Sequence, residues 1–337
     1  MAPSKRLPHE AYAVGWICAL SLEMAAAKAM LDERHEPLPQ SKRDSNNYAL
    51  GEVFGHNVVI ACLPSGQYGI NSAATVSAQM LSSFPSIEST LVVGIGAGVP
   101  TTIDIRLGGV VVSKPTGNFG GIVQYDHGKT MANGRFIHTG SLNRPPQRLL
   151  TAVSDLQSEH MMGTNRLPEF LLEAQTKYPA MTDFASPAAG DYLFRADYNH
   201  QEENLPCSFC DQRNLVVRRP RPSQTPQIHY GLIASGNQVM KDAFSRYRLA
   251  KEHGIICFEM EAAGLMDSSP CLVIREICDY AGSHKCKEWQ GYAALTAAAY
   301  AKELLAILQN NDSIYDYVRD LNKYSGLCLQ QHIFVCN

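Results

Sequence analysis

Three stretches of the chain place carboxylates where acid–base chemistry is expected. In Phe258-Glu259-Met260-Glu261-Ala262-Ala263-Gly264, two glutamates flank a methionine at a strand-to-helix junction in apolar sequence. Glutamates are rarely buried without a partner. If the segment stays extended, Glu259 and Glu261 point the same way. The paired hydroxyls of a sugar diol would satisfy them; an ordinary helix N-terminus, where acids favour the dipole, is the plainer reading. Asp279 follows the apolar run Cys271 to Cys278, at the strand end where α/β sheets hold ligands. Partial burial there would favour its protonated form and suit it to general-acid work; a turn aspartate ahead of Gly282 is the alternative. Glu23 follows a third apolar run, Tyr12 to Leu20, in the first turn of a helix, where capping alone would account for it.

Other motifs carry less. The cluster Gly94-Ile95-Gly96-Ala97-Gly98-Val99-Pro100 follows a β-branched strand but fails the dinucleotide fingerprint, because Val99 stands where glycine or alanine is required. Its glycines permit either a tight turn or a close approach of backbone to ligand. Cys207-x-x-Cys210 with His200 is half a zinc site without a second ligand pair, so no metal is expected. There is no Gly-x-Ser-x-Gly elbow and no phosphate-cradling loop of the Walker type. Arg218, Arg219 and Arg221 read as a solvated loop.

The elements that must hold these residues alternate. Strands are read at Tyr12 to Leu20, Thr90 to Val93, Val110 to Val112, Ile228 to Ser235, Ile255 to Met260 and Cys271 to Cys278, with a hairpin over Leu50 to Cys62. Helices are read at Ser21 to Leu31, Asn71 to Leu81, Gln147 to Tyr178 with a break near Gly163, from Ser235 through Lys251, from Ala262, and at Tyr292 to Leu308. Such alternation predicts one α/β domain with a mostly parallel or mixed sheet. Residues 1–11 are expected to be disordered, 12–308 to form the domain, about 198–227 to be a surface insertion, and 309–337 to be a tail of unaccounted structure.

Composition narrows the function classes. Of 337 residues, 45% are hydrophobic and 18% charged, which excludes global disorder. A net charge of −3 leaves no electrostatic footprint for nucleic acid or an anionic membrane surface. No apolar run reaches the roughly 18 residues of a membrane span, and the polar start has no secretory h-region. Ten scattered cysteines are no disulfide framework, and a reducing, cytoplasmic location is expected.

Taken together, Cys18 to Ala26, Gly66 to Ala74, Val93 to Pro100, Ser235-Gly236-Asn237, Phe258 to Gly264 and Arg275 to Tyr280 resemble the purine nucleoside phosphorylase and methylthioadenosine nucleosidase superfamily, most closely its domain in fungal NLR-like proteins. The resemblance runs from about Tyr12 to about Leu308. It implies a three-layer α/β/α domain around a mixed, partly barrel-like sheet, usually in a homo-oligomer, here expected as a dimer or trimer. It also implies that Glu261 binds the ribose hydroxyls with Met260 packed on the sugar and Glu259 nearby. Asp279 would protonate the leaving purine, and Glu23 would activate water. The glycine turn Gly94 to Gly98, with Ile95, Gly96 and Ala97 as its substrate contacts, would line the nucleophile pocket, while Tyr192, Phe194, His229 and Asn237 would shape the base and 5′ subsites. No cofactor is implied. Val92 and Ile95 stand where the family's phosphorylases carry phosphate-binding residues, and Glu23 would repel phosphate. Hydrolysis of a purine nucleoside, adenosine preferred, is therefore expected over phosphorolysis or non-catalytic nucleoside sensing. Glu276, at a place usually held by a small residue, would perturb Asp279 if it faced the pocket.

Overall fold

Branched apolar runs form the inner strands, and alanine-rich runs form the helices around them. The computed structural model describes residues 5–309 apart from 102, 202–204, 222, 224 and 286. Its strands are β1 (Val14–Cys18), β2 (Glu33–Arg34), β3 (Tyr48–Val53), β4 (His56–Cys62), β5 (Ser89–Gly98), β6 (Val110–Ser113), β7 (Ile122–Gln124), β8 (Gly128–Thr130), β9 (Phe136–His138), β10 (Ile228–Ser235), β11 (Ile255–Glu259) and β12 (Leu272–Asp279). The helices are α1 (Ser21–Ala29), α2 (Ile70–Ser83), α3 (Gln147–Met161), α4 (Leu167–Lys177), α5 (Ala243–His253) and α6 (Gln290–Ile307).

One mixed sheet runs in the order β11-β10-β6-β12-β5-β1-β4-β3-β2, with β7 also paired to β10. β5 pairs with β11 as well, Gly98 opposite Cys257 and Ala97 opposite Phe258. That seam closes β5, β12, β6, β10 and β11 into a five-strand barrel, and β1, β4, β3 and β2 extend from it as an open wing. The expected mixed, partly barrel-like sheet is thus present. The β3–β4 hairpin turns through Phe54 and Gly55 with φ of 47° and 79°, the twist that suits adjoining strands. α6 is buried on nearly every side, which is why its sequence lacks a polar face. It packs on β12 and β5 and meets α1, α3 and α4. Its two buried charges are paired, Lys302 with Asp32 at 2.7 Å and Glu303 with His160 at 3.1 Å. Among the described residues, no helix is long and apolar enough to cross a membrane.

The structure corrects four expectations. Gly94, Gly96 and Gly98 lie inside β5 rather than in a turn, and none has a positive φ. The segment after Glu261 makes a short 3-10 turn, Ala262–Gly264, and not an α-helix. Residues 5–11 are ordered: Lys5 bridges to His35, its ammonium meets Glu52 at 2.8 Å, and His9–Ala11 form a 3-10 turn. Arg218 and Arg221 are not solvated, because both reach Asp191, at 2.9 and 2.7 Å. The insertion carries two 3-10 turns, Cys207–Phe209 and Gln212–Asn214. Residues 310–337 of the expected tail lie outside the described residues.

Candidate active site

At the carboxyl ends of β1 and β5, the chain turns so that Glu23 folds back over its own helix start. Its Oε2 accepts the Ala19 and Leu20 N–H groups at 2.7 and 3.0 Å, so the capping reading holds. Its Oε1 reaches across to the Ile95 N–H at 2.8 Å, which ties α1 to β5. Burial raises the Glu23 pKa above the ordinary value, opposed by the Arg275 guanidinium and the three backbone donors.

Arg275 interrupts the apolar β12 and is itself 1% exposed, so its charge must be answered locally. Nη2 donates to Glu259 Oε2 at 2.6 Å and to Glu261 Oε2 at 3.1 Å, and Nη1 stands 3.8 Å from Glu23 Oε1. Glu259 is fully engaged, because its carboxylate also accepts the Glu261 N–H at 3.0 Å and the Ala262 N–H. Three carboxylates around one guanidinium leave surplus negative charge. Accordingly the Glu261 pKa is pushed up to about 7 by burial, against Arg275 and with the charges of Glu259 and Glu23. The Arg275 pKa is raised: burial alone would lower it, and the three glutamates outweigh burial.

Asp279 ends β12 just past a β-bulge, where the register against β5 shifts between Ile277 and Asp279. Bulges re-aim side chains, and here both Cys278 and Asp279 border the cavity described next. Asp279 Oδ1 accepts the Ala281 N–H at 2.8 Å and is ion-paired with Lys285 Nζ at 2.7 Å. The acid is therefore not isolated in apolar surroundings, as its place after an apolar strand led one to expect. Lys285 was not legible as its partner.

One cavity of about 730 Å³ takes in Glu23, Ile95, Gly96, Ala97, Glu259, Met260, Glu261 and Asp279 together. Arg275, Lys285 and Lys287 also line it, and Tyr68, Val239, Met240 and Gln290 are among the rest of its wall. Four residues expected at the base and 5′ subsites lie outside that lining. Tyr192 and Phe194 border a cavity of about 20 Å³, and the Phe194 ring is stacked on His284 with centroids 4.1 Å apart. Asn237 uses its side-chain oxygen to accept the Ile70 N–H at 3.1 Å, fixing the start of α2. His229 faces a third cavity with Arg106 and Gln227. Nor does Glu276 face the pocket. Strand alternation turns it towards α6, with Gly108, Trp289 and Thr296 about it. It is fully buried with the Thr296 hydroxyl close by, and burial raises its pKa well above the ordinary value. His200 packs edge-on against His284, with centroids 5.1 Å apart.

Comparison with known proteins gives concordant matches. A family model described as the phosphorylase superfamily matches residues 13–310. A nucleotide-binding leucine-rich repeat (NLR)-like protein of the fungus Hyaloscypha variabilis is 47% identical over 90% of this chain, which spans 30% of that protein's length. A 5′-methylthioadenosine/S-adenosylhomocysteine nucleosidase of Mycobacterium bovis is 23% identical over 88% of this chain and 97% of its own. Among solved structures, the nucleosidase of the same name from Helicobacter pylori superposes with a TM-score of 0.57 at 15% identity, covering 88% of this chain and 98% of the other.

Proposed function

The chain belongs to the phosphorylase superfamily, and from that premise we propose that it hydrolyses the N-glycosidic bond of purine nucleosides to free base and ribose, with adenosine the preferred substrate. One observation carries the reading: Glu23, Glu261 and Asp279, remote in sequence, border the same cavity. The names of the Mycobacterium and Helicobacter relatives support it.

Glycosidic cleavage passes through an oxocarbenium-like transition state, which nearby carboxylates stabilise. Glu261 accepts hydrogen bonds from the ribose diol, and Met260 packs on the sugar. Water approaches the anomeric carbon beside Ile95, Gly96 and Ala97. Glu23 orients that water and takes its proton, a task suited to a carboxylate whose proton affinity burial has raised. Asp279 passes a proton to the imidazole ring of the departing purine. Glu259 serves as a positioning residue, since its oxygens are consumed by Arg275 and backbone donors.

Phosphate is the poorer nucleophile candidate. The guanidinium beside the cavity is already held by Glu259 and Glu261 and faces Glu23, so an entering phosphate would meet three carboxylates. The described cysteines are free thiols, which suits a cytoplasmic setting, and a homo-oligomer is the proposed assembly. Chromatography of adenosine and inosine incubated with the purified chain, with and without phosphate, tests the reading. Free base without phosphate supports hydrolysis, and ribose 1-phosphate would replace it with phosphorolysis. Intact nucleoside with retained binding would replace it with a sensor.

A further inference from the structure

We propose that Lys285 supplies the proton that Asp279 passes to the departing base, so that the ion pair, and not a lone carboxylic acid, is the general acid. The inference rests on the nucleosidase reading and deepens it.

The argument starts from geometry. Asp279 Oδ1 is shared by Lys285 Nζ at 2.7 Å and the Ala281 N–H at 2.8 Å, while among the described residues Oδ2 meets the Cys278 thiol at 3.7 Å. A carboxylate in an ion pair holds no proton of its own to give, whereas the ammonium one hydrogen bond away does. Both side chains line the cavity, so Nζ can exchange with solvent between turnovers. Arg246 and the two nearby thiols do not fill this role. Arg246, on α5, is buried and donates to the Tyr280 carbonyl, but a guanidinium does not give up its proton. Cys257 on β11 and Cys278 on β12 are kept as thiols by burial.

The step balances. The C1′–N9 bond breaks with its electron pair going to the base. N7 of the base receives a proton from Asp279, and Asp279 is replenished from Lys285 Nζ. Water forms the new C1′–O bond and yields a proton to Glu23. Glu23 then releases that proton to solvent, and solvent returns one to Lys285. One water is consumed and nothing is oxidised or reduced.

A base already alkylated at N7 leaves without protonation, which supplies the test. Adenosine and its N7-methylated counterpart are compared on wild type, Lys285→Gln and Lys285→Arg, in phosphate-free buffer. Lys285→Gln is expected to lower kcat on adenosine about 10²-fold with little change in KM. On the methylated substrate it stays within about threefold of wild type, a difference of less than 1 kcal/mol. Lys285→Arg restores the ion pair but not the transferable proton, so adenosine turnover stays low. Restoration by arginine, or equal slowing of both substrates, overturns the proposal in favour of a purely positioning lysine; unchanged kinetics overturn it outright. Should wild type accept only adenosine, the arginine variant decides: turnover stays low if the lysine is the donor, and recovers if it only positions Asp279. Base release from neither substrate by wild type would instead remove the nucleosidase reading.

Discussion

Gly94 carries no side chain where the Glu23 carboxylate takes the room. A Cβ built there overlaps Glu23 and comes 2.7 Å from Arg275 Nη1. Because the backbone of Gly94 is ordinary strand, proximity rather than conformational freedom explains the residue.

Gly94→Ala is therefore expected to displace Glu23 and break its bond to the Ile95 N–H. Overpacking of this kind costs about 1–3 kcal/mol of stability. Turnover of adenosine should fall about 10²-fold with a smaller change in KM, as loss of a positioned base implies. An alanine variant as fast as wild type would show that Glu23 need not sit here.

Arg275→Met removes the guanidinium that Glu23, Glu259 and Glu261 surround. Stranding buried charges in this way costs about 3–5 kcal/mol, to be read from urea midpoints. Arg275→Lys should recover only part of that loss, because an ammonium lacks the fork that reaches Glu259 and Glu261 together. A methionine variant of wild-type stability would contradict the paired-charge account.

Asp279→Asn keeps an acceptor for the Ala281 N–H but cannot relay a proton. Turnover should drop by about 10²–10⁴-fold, while nucleoside binding measured by calorimetry persists. Equal loss of binding and turnover would make Asp279 a structural residue.

Glu276→Gln should flatten the dependence of stability on pH. Burial raises the Glu276 pKa, so the folded state binds a proton that the unfolded chain releases above its ordinary value. The Glu276 contribution to stability therefore falls as pH rises from about 5 towards 8, by an amount approaching 1.4 kcal/mol per unit. His35, His138, His229 and His284, whose pKa values burial lowers, act the other way in both proteins. Glutamine has no proton to lose, so the variant should gain on wild type as pH increases, seen in melts at both ends of that window. Raised proton affinities at Glu23 and Glu261 act in the same direction as Glu276 and remain in the variant. A constant gap between the two proteins would contradict the assignment.

Much of the fold was legible because its strands are continuous apolar runs and its helices alanine-rich. Glu23, Glu261 and Asp279 stood out as acids at the ends of such runs. Their meeting point was not visible, since it depends on the seam between β5 and β11, which pairs residues about 160 positions apart. Arg275 was missed as a site residue, although a signal existed: an arginine inside an otherwise apolar strand must find anionic partners. The glycines of β5 misled because glycine is a turn former in isolation, and only the carboxylate beside Gly94 explains its presence there. Tyr192 and Phe194 border a different cavity, because aromatic type alone does not say which cavity a loop will face.

β12 writes chemistry on one side and anchorage on the other, with Arg275 turned to the carboxylates and Glu276 to α6. A ribbon with period two has no tolerance for a change of phase. Deleting or inserting one residue upstream in this strand would exchange the two charges between compartments, stranding the guanidinium under the helix and pressing a fourth carboxylate into the acidic cluster. A change of length here is therefore tolerable in the loops at the ends of β12 and not within the strand itself.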